Sequence, residues 1–410
     1  MKPLTQLEAA EQAMSLIFSK IDTQVKKNLT QILKSFHNYR LGPHHFASVS
    51  GYGHDDLGRE VLDQVYAEVM GAEAALVRVQ FVSGTHAIAT ALFGVLRPGD
   101  HMLSVAGAPY DTLEEVIGIR GEGQGSLKDF GVEYRQLELT PTGTIDWQAL
   151  ETSIQPQTRL VLIQRSCGYS WRPSLSIEEI GKIVDRVKAQ NPNTICFVDN
   201  CYGEFIEDRE PPAVGADLIA GSLIKNPGGT IVTAGGYIAG RRDLVEAAAC
   251  RLTSPGIGSA GGATLDQTRL MFQGLFLAPQ MVGEAMKGNH LVAHVFQGLG
   301  YPVNPLPEAP RRDVIQAVKL GSAEKLVAFC RAFQQYSPVG SYLDPMPAPM
   351  PGYDSNLVMA GGTFIDGSTS ELSADGPLRE PYIVFCQGGT HWTHVAIALE
   401  AAIEAVGPGP

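Results

Sequence analysis

Four short segments hold residues whose types and surroundings could do chemistry. Ser83-Gly84-Thr85 follows a strand-like run and opens a helix-like one. Backbone N–H groups at a helix N-terminus attract anions, and glycine lets a phosphate approach closely. A plain glycine-containing turn between strand and helix reads the same way. Phe197-Val198-Asp199-Asn200 ends an apolar run. A carboxylate there sits where ligands bind in open α/β sheets, although a helix N-cap uses the same residue type. Ser222-Leu223-Ile224-Lys225 ends another apolar run and leads into Asn226-Pro227-Gly228-Gly229. Desolvation at such a place lowers an amine's pKa and frees it as a nucleophile. The plain alternative is a solvated surface lysine. Arg379 stands just before Pro381-Tyr382-Ile383-Val384. Its planar fork suits a carboxylate ligand, and a surface arginine at a strand entrance looks alike.

A phosphate cradle, an acid, a lysine and a later arginine are together the parts that pyridoxal phosphate chemistry needs. The lysine forms a Schiff base with the cofactor. The acid keeps the pyridinium nitrogen protonated, so that the ring drains electrons from Cα. The arginine holds an amino acid's carboxylate.

These residues need a scaffold, and the pattern supplies one. Strand-like runs at Ala75–Phe81, His101–Val105, Val132–Leu139, Arg159–Gln164, Thr194–Asp199, Leu218–Leu223 and Tyr237–Ala239 alternate with helical signals such as Val61–Met70, Thr85–Leu96 and Ser176–Gln190. That alternation predicts a mostly parallel sheet covered by helices on both faces. Leu4–Phe36 is helical in period, either as a domain of its own or packed across a subunit interface. Tyr39–Gly58 is irregular and rich in Gly, His and Asp, which marks a functional loop. Leu265–Gly298 is a long helical stretch able to connect two domains, and Tyr301–Pro351 is rich in proline. Strand-like Tyr382–Cys386 and helical His394–Val406 suit a smaller α+β domain. The expected division is a helical arm and active-site loop over 1–58, a large cofactor-binding α/β domain over 59–275 and a small α+β domain over 276–410.

In this order the motifs resemble the aspartate-aminotransferase-like fold (fold type I) of pyridoxal phosphate enzymes. Within it, the chain looks like the cystathionine β-lyase/methionine γ-lyase-related family of aluminium-resistance type. The resemblance lies in Gly51-Tyr52-Gly53-His54-Asp55-Asp56-Leu57-Gly58-Arg59, Ser83-Gly84-Thr85-His86, Gln164 to Ser174, Val198-Asp199-Asn200, Lys225-Asn226-Pro227-Gly228-Gly229 and Arg379-Glu380-Pro381-Tyr382. It implies that Lys225 is the Schiff-base lysine and Asp199 the partner of the ring nitrogen. Ser83, Gly84 and Thr85 would cradle the phosphate, with a hydroxyl from Ser222. Tyr110 would stack on the ring and Arg379 clamp the substrate carboxylate. Tyr52 would reach the phosphate of a neighbouring subunit, so the resemblance implies a homo-oligomer, a dimer of active sites or a tetramer. Three positions depart from the better-known cystathionine lyases. His54 stands where they carry an arginine, with Arg59 nearby; Ile224 replaces a threonine before the lysine; and Arg172-Pro173 does not repeat their Asn-Pro.

Composition bounds the remainder. A length of 410 residues suggests two or three domains at roughly 100–200 residues each. Hydrophobic residues make up 44% and charged residues 18%, enough to build large cores. The net charge of −12 gives no attraction for nucleic acid or anionic lipid. No uninterrupted apolar run reaches the roughly 18 residues of a membrane span, and the N-terminus lacks a secretory apolar core. Six scattered cysteines without a C-x-x-C pair suit a reduced, cytoplasmic protein. His290 and His294 share a helix face, but no glutamate follows His290, so the zinc motif is absent and no metal is expected. The expected activity is elimination of a thiol from a sulfur-containing amino acid. The alternatives are transamination, aldol cleavage or cofactor binding without catalysis.

Overall fold

The computed structural model describes residues 3–350 and 352–409. The chain opens with helix α1 (Pro3–Asn38), followed by α2 (Leu57–Met70). Asp56 starts α2 by accepting from the Arg59 N–H at 2.9 Å, and Gly71 ends it in the left-handed conformation. Seven strands then alternate with helices. They are β1 (Ala74–Arg78), β2 (His101–Ser104), β3 (Glu133–Gln136), β4 (Thr158–Gln164), β5 (Ile195–Asp199), β6 (Leu218–Ser222) and β7 (Gly236–Gly240). Between or after them run α3 (Gly84–Val95), α4 (Asp111–Ile117), α5 (Trp147–Ser153), α6 (Ile177–Gln190) and α7 (Arg242–Leu252). The strands form one sheet in the order β1-β7-β6-β5-β4-β2-β3. β7 pairs antiparallel with β1 and β6, and the other pairings are parallel. Side-chain alternation feeds two cores: Val161, Ile163, Cys196 and Val198 face one, while Leu160, Leu162, Ile195 and Phe197 face the other. Burial on both faces explains why the strands read as continuous apolar runs.

Helix α8 (Thr268–Gly298) carries the chain onward. Beyond it lie β8 (Val303–Asn304), β9 (Ile315–Lys319), α9 (Ala323–Gln335), β10 (Leu357–Ala360), β11 (Ser373–Pro377), β12 (Ile383–Gln387) and α10 (Trp392–Val406). The five strands form a separate antiparallel sheet, β10-β11-β12-β9-β8. The stretch over 301–351, read from sequence only as proline-rich, thus contains two strands and a helix. Its described prolines fall in the connections, and Ser322 caps α9 by accepting from the Lys325 N–H.

The long N-terminal helix packs on its own chain rather than standing apart. Leu7, Ala10 and Met14 join the core beneath the small sheet, whereas Ile21 and Ile32 join the core of the large one. Helix α8 does the same, with Phe272 and Leu275 in one core and Leu291 and Phe296 in the other. Two long helices therefore hold the two sheets together.

Candidate active site

The carboxyl ends of β4 and β5 lie level, since Gln164 pairs with Asp199, and β6 runs on to Ser222 past Ala220, the partner of Asp199. The loops leaving those ends and the first turn of α3 enclose a cavity of about 660 Å³. Residues of β11 and β12 close it from the other side. Open parallel sheets bind ligands at this edge.

The sequence singled out scattered residues, and the fold brings most of them to this cavity. Ser83, Gly84, Thr85 and Ser222 line one end, and Tyr110, Asp199, Lys225 and Arg379 also border it. Ser83 spends its hydroxyl as the N-cap of α3, accepting from the His86 N–H at 3.1 Å. A Cβ on Gly84 would lie 3.1 Å from Cβ of Ser222 and 3.3 Å from Sγ of Cys201, so only glycine fits there easily. The Ser222 hydroxyl is fully buried and has no hydrogen-bond partner. A buried hydroxyl without a partner is costly, and a bound anion would satisfy it.

Asp199 ends β5 with 4% of its surface exposed, and its Oδ1 accepts from the Cys201 N–H at 3.1 Å. Burial pushes its carboxyl above the usual range, with the Lys225 ammonium pulling back. Lys225 follows β6, with its Nζ 3.9 Å from the centre of the Tyr202 ring. Burial draws its amine downward, but Tyr202, Cys201 and Asp199 outweigh that and leave it raised. The desolvation expected from sequence is present, but in this pocket these neighbours reverse the net direction. Tyr110 caps the approach to α4 and shares a 3.0 Å hydrogen bond with the Thr85 hydroxyl. Burial raises its phenol, and the Asp199 carboxylate adds to the rise.

Arg379 and Tyr52 stand apart from the residues inside the cavity. Arg379 is exposed at the cavity rim, in the turn between β11 and β12, where the Tyr382 N–H bonds its carbonyl at 2.8 Å. Tyr52 lies outside the cavity of its own chain and is 79% exposed. Arg59 is not free to replace the missing loop arginine. Its guanidinium is buried and donates to the carbonyls of Gly53, Gly262 and Ala260, pinning the loop that displays Tyr52. His54 remains exposed, with its ring 5.6 Å from that of Tyr52.

Several lining residues escaped the sequence reading. Gln164 accepts from the Tyr110 N–H at 2.9 Å and donates to the Ser166 carbonyl at 3.1 Å, so it fixes two walls. Tyr202 stands three residues after Asp199 at φ +70, a conformation unusual for an aromatic residue. Arg120 ties α4 to the stretch around 352–354 through Asp111, Asp354 and the Gly352 carbonyl. Asp375 and Gln387 come from the small sheet.

The donor set fits pyridoxal phosphate. An unpartnered hydroxyl beside a glycine at a 12-residue helix's N-terminus suits the phosphate, a buried carboxylate suits the ring nitrogen, and an amine borders the same cavity. The cavity has room for the cofactor and a small amino acid.

Comparison with known proteins gives an independent line. The methionine gamma-lyase family model matches residues 4–407. The uncharacterized protein YnbB of Bacillus subtilis is 49% identical over 391 residues, covering 95% of this chain and 93% of that one. A crystal structure of a candidate cystathionine beta-lyase involved in aluminum resistance, from Listeria monocytogenes, superposes with a TM-score of 0.96. It shares 47% identity and covers 98% of this chain and 100% of that one. A carbon-sulfur lyase involved in aluminum resistance, from Clostridium novyi, gives a TM-score of 0.94 at 46% identity, with 98% and 95% covered.

Proposed function

The chain belongs to the methionine gamma-lyase family, and from that premise we propose that it is a pyridoxal-phosphate-dependent carbon–sulfur lyase acting on a sulfur-containing amino acid. The family depends on this cofactor, and the two-sheet fold is that of fold type I enzymes. The observation that carries the reading is the convergence of Gly84, Asp199, Ser222 and Lys225 on one cavity. When bound, the cofactor supplies an electron sink for the pair left at Cα on deprotonation.

The chain's own residues do the remainder. Backbone N–H groups of Gly84 and Thr85, with the Ser222 hydroxyl, would hold the phosphate. The Asp199 carboxylate would pair with the ring nitrogen. Tyr110, fixed by Thr85 and Gln164, would pack against the ring. Lys225 would anchor the cofactor, and its amine would take the proton from the substrate's Cα. Such positioned proton transfer contributes typically about 10²–10⁴-fold. The C–S bond breaks with its electron pair leaving on sulfur, and a thiol departs after protonation. Departure from Cγ needs a second proton movement at Cβ, for which Lys225 or Tyr110 would be the shuttle. Arg379 receives the substrate carboxylate at the rim. Tyr52 completes the phosphate site of a partner chain, in a homo-oligomer. No helix among the described residues is long and apolar enough to cross a membrane.

Purified protein titrated with pyridoxal phosphate is expected to develop the absorbance band of a lysine-bound cofactor. It is expected to release keto acid, ammonia and a thiol or hydrogen sulfide from cystathionine, cysteine, methionine or homocysteine. Lys225→Ala should lose the band and roughly 10³-fold or more of the turnover. Amino transfer without thiol release would replace the lyase reading with a transaminase. Failure to bind the cofactor at all would end both.

A further inference from the structure

The small-sheet wall of the cavity has a composition that the reaction itself does not require. Asp375 on β11 is 4% exposed. Its Oδ2 accepts from Nε2 of Gln387 on β12 at 3.1 Å, while its Oδ1 is buried without a partner. Rings surround that end of the cavity: the Tyr169 centroid lies 5.2 Å from Phe385 and 5.8 Å from Tyr353. Hydroxyls of Ser368 and Ser373, on the same wall, also lack partners.

We propose that this wall selects substrates carrying a positive charge beyond the reacting carbon, with Asp375 as the residue that holds it. The proposal rests on the lyase reading and deepens it. Aromatic faces and a carboxylate attract the same kind of group, a cation. Two chemistries present one there: an ammonium on a long side chain, or a sulfonium at the sulfur itself. A neutral methyl thioether leaves Oδ1 buried and unpaired, which costs affinity. Burial also pushes the Asp375 carboxyl up to about 7, although the nearby Tyr169 hydroxyl, Lys225 and the Gln387 amide act to lower it. A cation beside it would favour the charged carboxylate. Lys225 is the protein cation nearest this acid in effect, but its ammonium is already seated on the Tyr202 ring.

Equilibrium binding to the cofactor-loaded protein tests this without requiring turnover. Ornithine supplies the ammonium, S-methylmethionine the sulfonium, and norleucine the neutral control, each followed by calorimetry and by the change in cofactor absorbance. At least one cationic probe is expected to bind about tenfold or more tighter than norleucine. In Asp375→Asn that ratio should collapse toward one. Ornithine alone gaining would identify the ammonium, and S-methylmethionine alone the sulfonium. Equal affinity for all three in the native protein overturns the proposal. So does an Asp375→Asn variant that weakens all three equally, because Asp375 would then serve only Lys225. Absence of thiol release from every substrate would sink the lyase reading yet leave the binding ratios to decide the wall.

Discussion

At the scale of single residues, Ser222 makes a sharp test because its burial and its chemistry pull in opposite directions. Its hydroxyl is buried and unpartnered. Such a group burdens the cofactor-free fold and is relieved when a donor is called for. Ser222→Ala is therefore expected to leave the melting temperature of the cofactor-free protein unchanged or slightly raised. The same variant should weaken pyridoxal phosphate binding about tenfold, since a hydrogen bond to a charged group is lost. Thermal melts of the stripped protein and a fluorescence titration with the cofactor measure both. A stripped protein that is clearly destabilised, with unchanged cofactor affinity, would make Ser222 merely structural. Its proposed role came from the family resemblance; the sequence itself showed only a serine three places before Lys225 at the end of an apolar run. Asp375 and Gln387 were not legible there. They face the cavity only because β11 and β12 pair in one register, Ser373 with Gln387 and Asp375 with Phe385, and no local pattern specifies a pairing between strands. Tyr202 was hidden for another reason: its left-handed backbone turns the ring onto Lys225, and aromatic residues carry no signal for that.

At the scale of elements, the large sheet and its helices were readable from apolar runs, whereas the segment after α8 was obscured by its prolines. What anchors that segment is a buried polar contact on α8. His290 is 4% exposed, with Nδ1 2.6 Å from the Pro307 carbonyl and Nε2 3.4 Å from Nε of Arg311. A neutral ring that donates from Nδ1 and accepts at Nε2 satisfies both neighbours. Burial, then the charge of Arg311, pushes the imidazole from its usual 6.5 down to about 3. In the unfolded chain the same ring takes a proton near its ordinary value. The unfolded state therefore binds more protons between these limits, and stability is lost as pH falls from 6.5 toward 3. Between pH 7 and about 4.5 this single group should cost on the order of 2 kcal/mol. His290→Gln keeps a donor and an acceptor but cannot titrate. Its urea-unfolding stability is expected to fall less over that pH interval than that of the native protein. Parallel pH slopes for the two would show that His290 is not the group responsible.

At the scale of the whole molecule, the question is why a loop that resembles an active-site loop sits outside its own cavity. Arg59 fastens the Tyr52 loop rigidly to residues 260–262, so the loop does not fold back into the site of its own chain. Around it, Leu57 and Leu265 are 58% and 62% exposed. In the proposed homo-oligomer a second chain would cover these residues and the displayed tyrosine. In a two-fold dimer the same patch meets itself, and each chain can lend its Tyr52 to the other's phosphate site. Two defective chains should then repair one another. Tyr52→Ala and Lys225→Ala homo-oligomers are each expected to be strongly impaired. Coexpressed with different tags and purified as mixed dimers, they place both native residues in one of the two sites. The other site carries both defects. Activity should recover to roughly half that of the native dimer. A mixed dimer no more active than its parents would place Tyr52 in the site of its own chain or in none. That result would leave Lys225, Asp199 and Ser222 where they stand, because those three come from the carboxyl ends of β5 and β6 within a single chain.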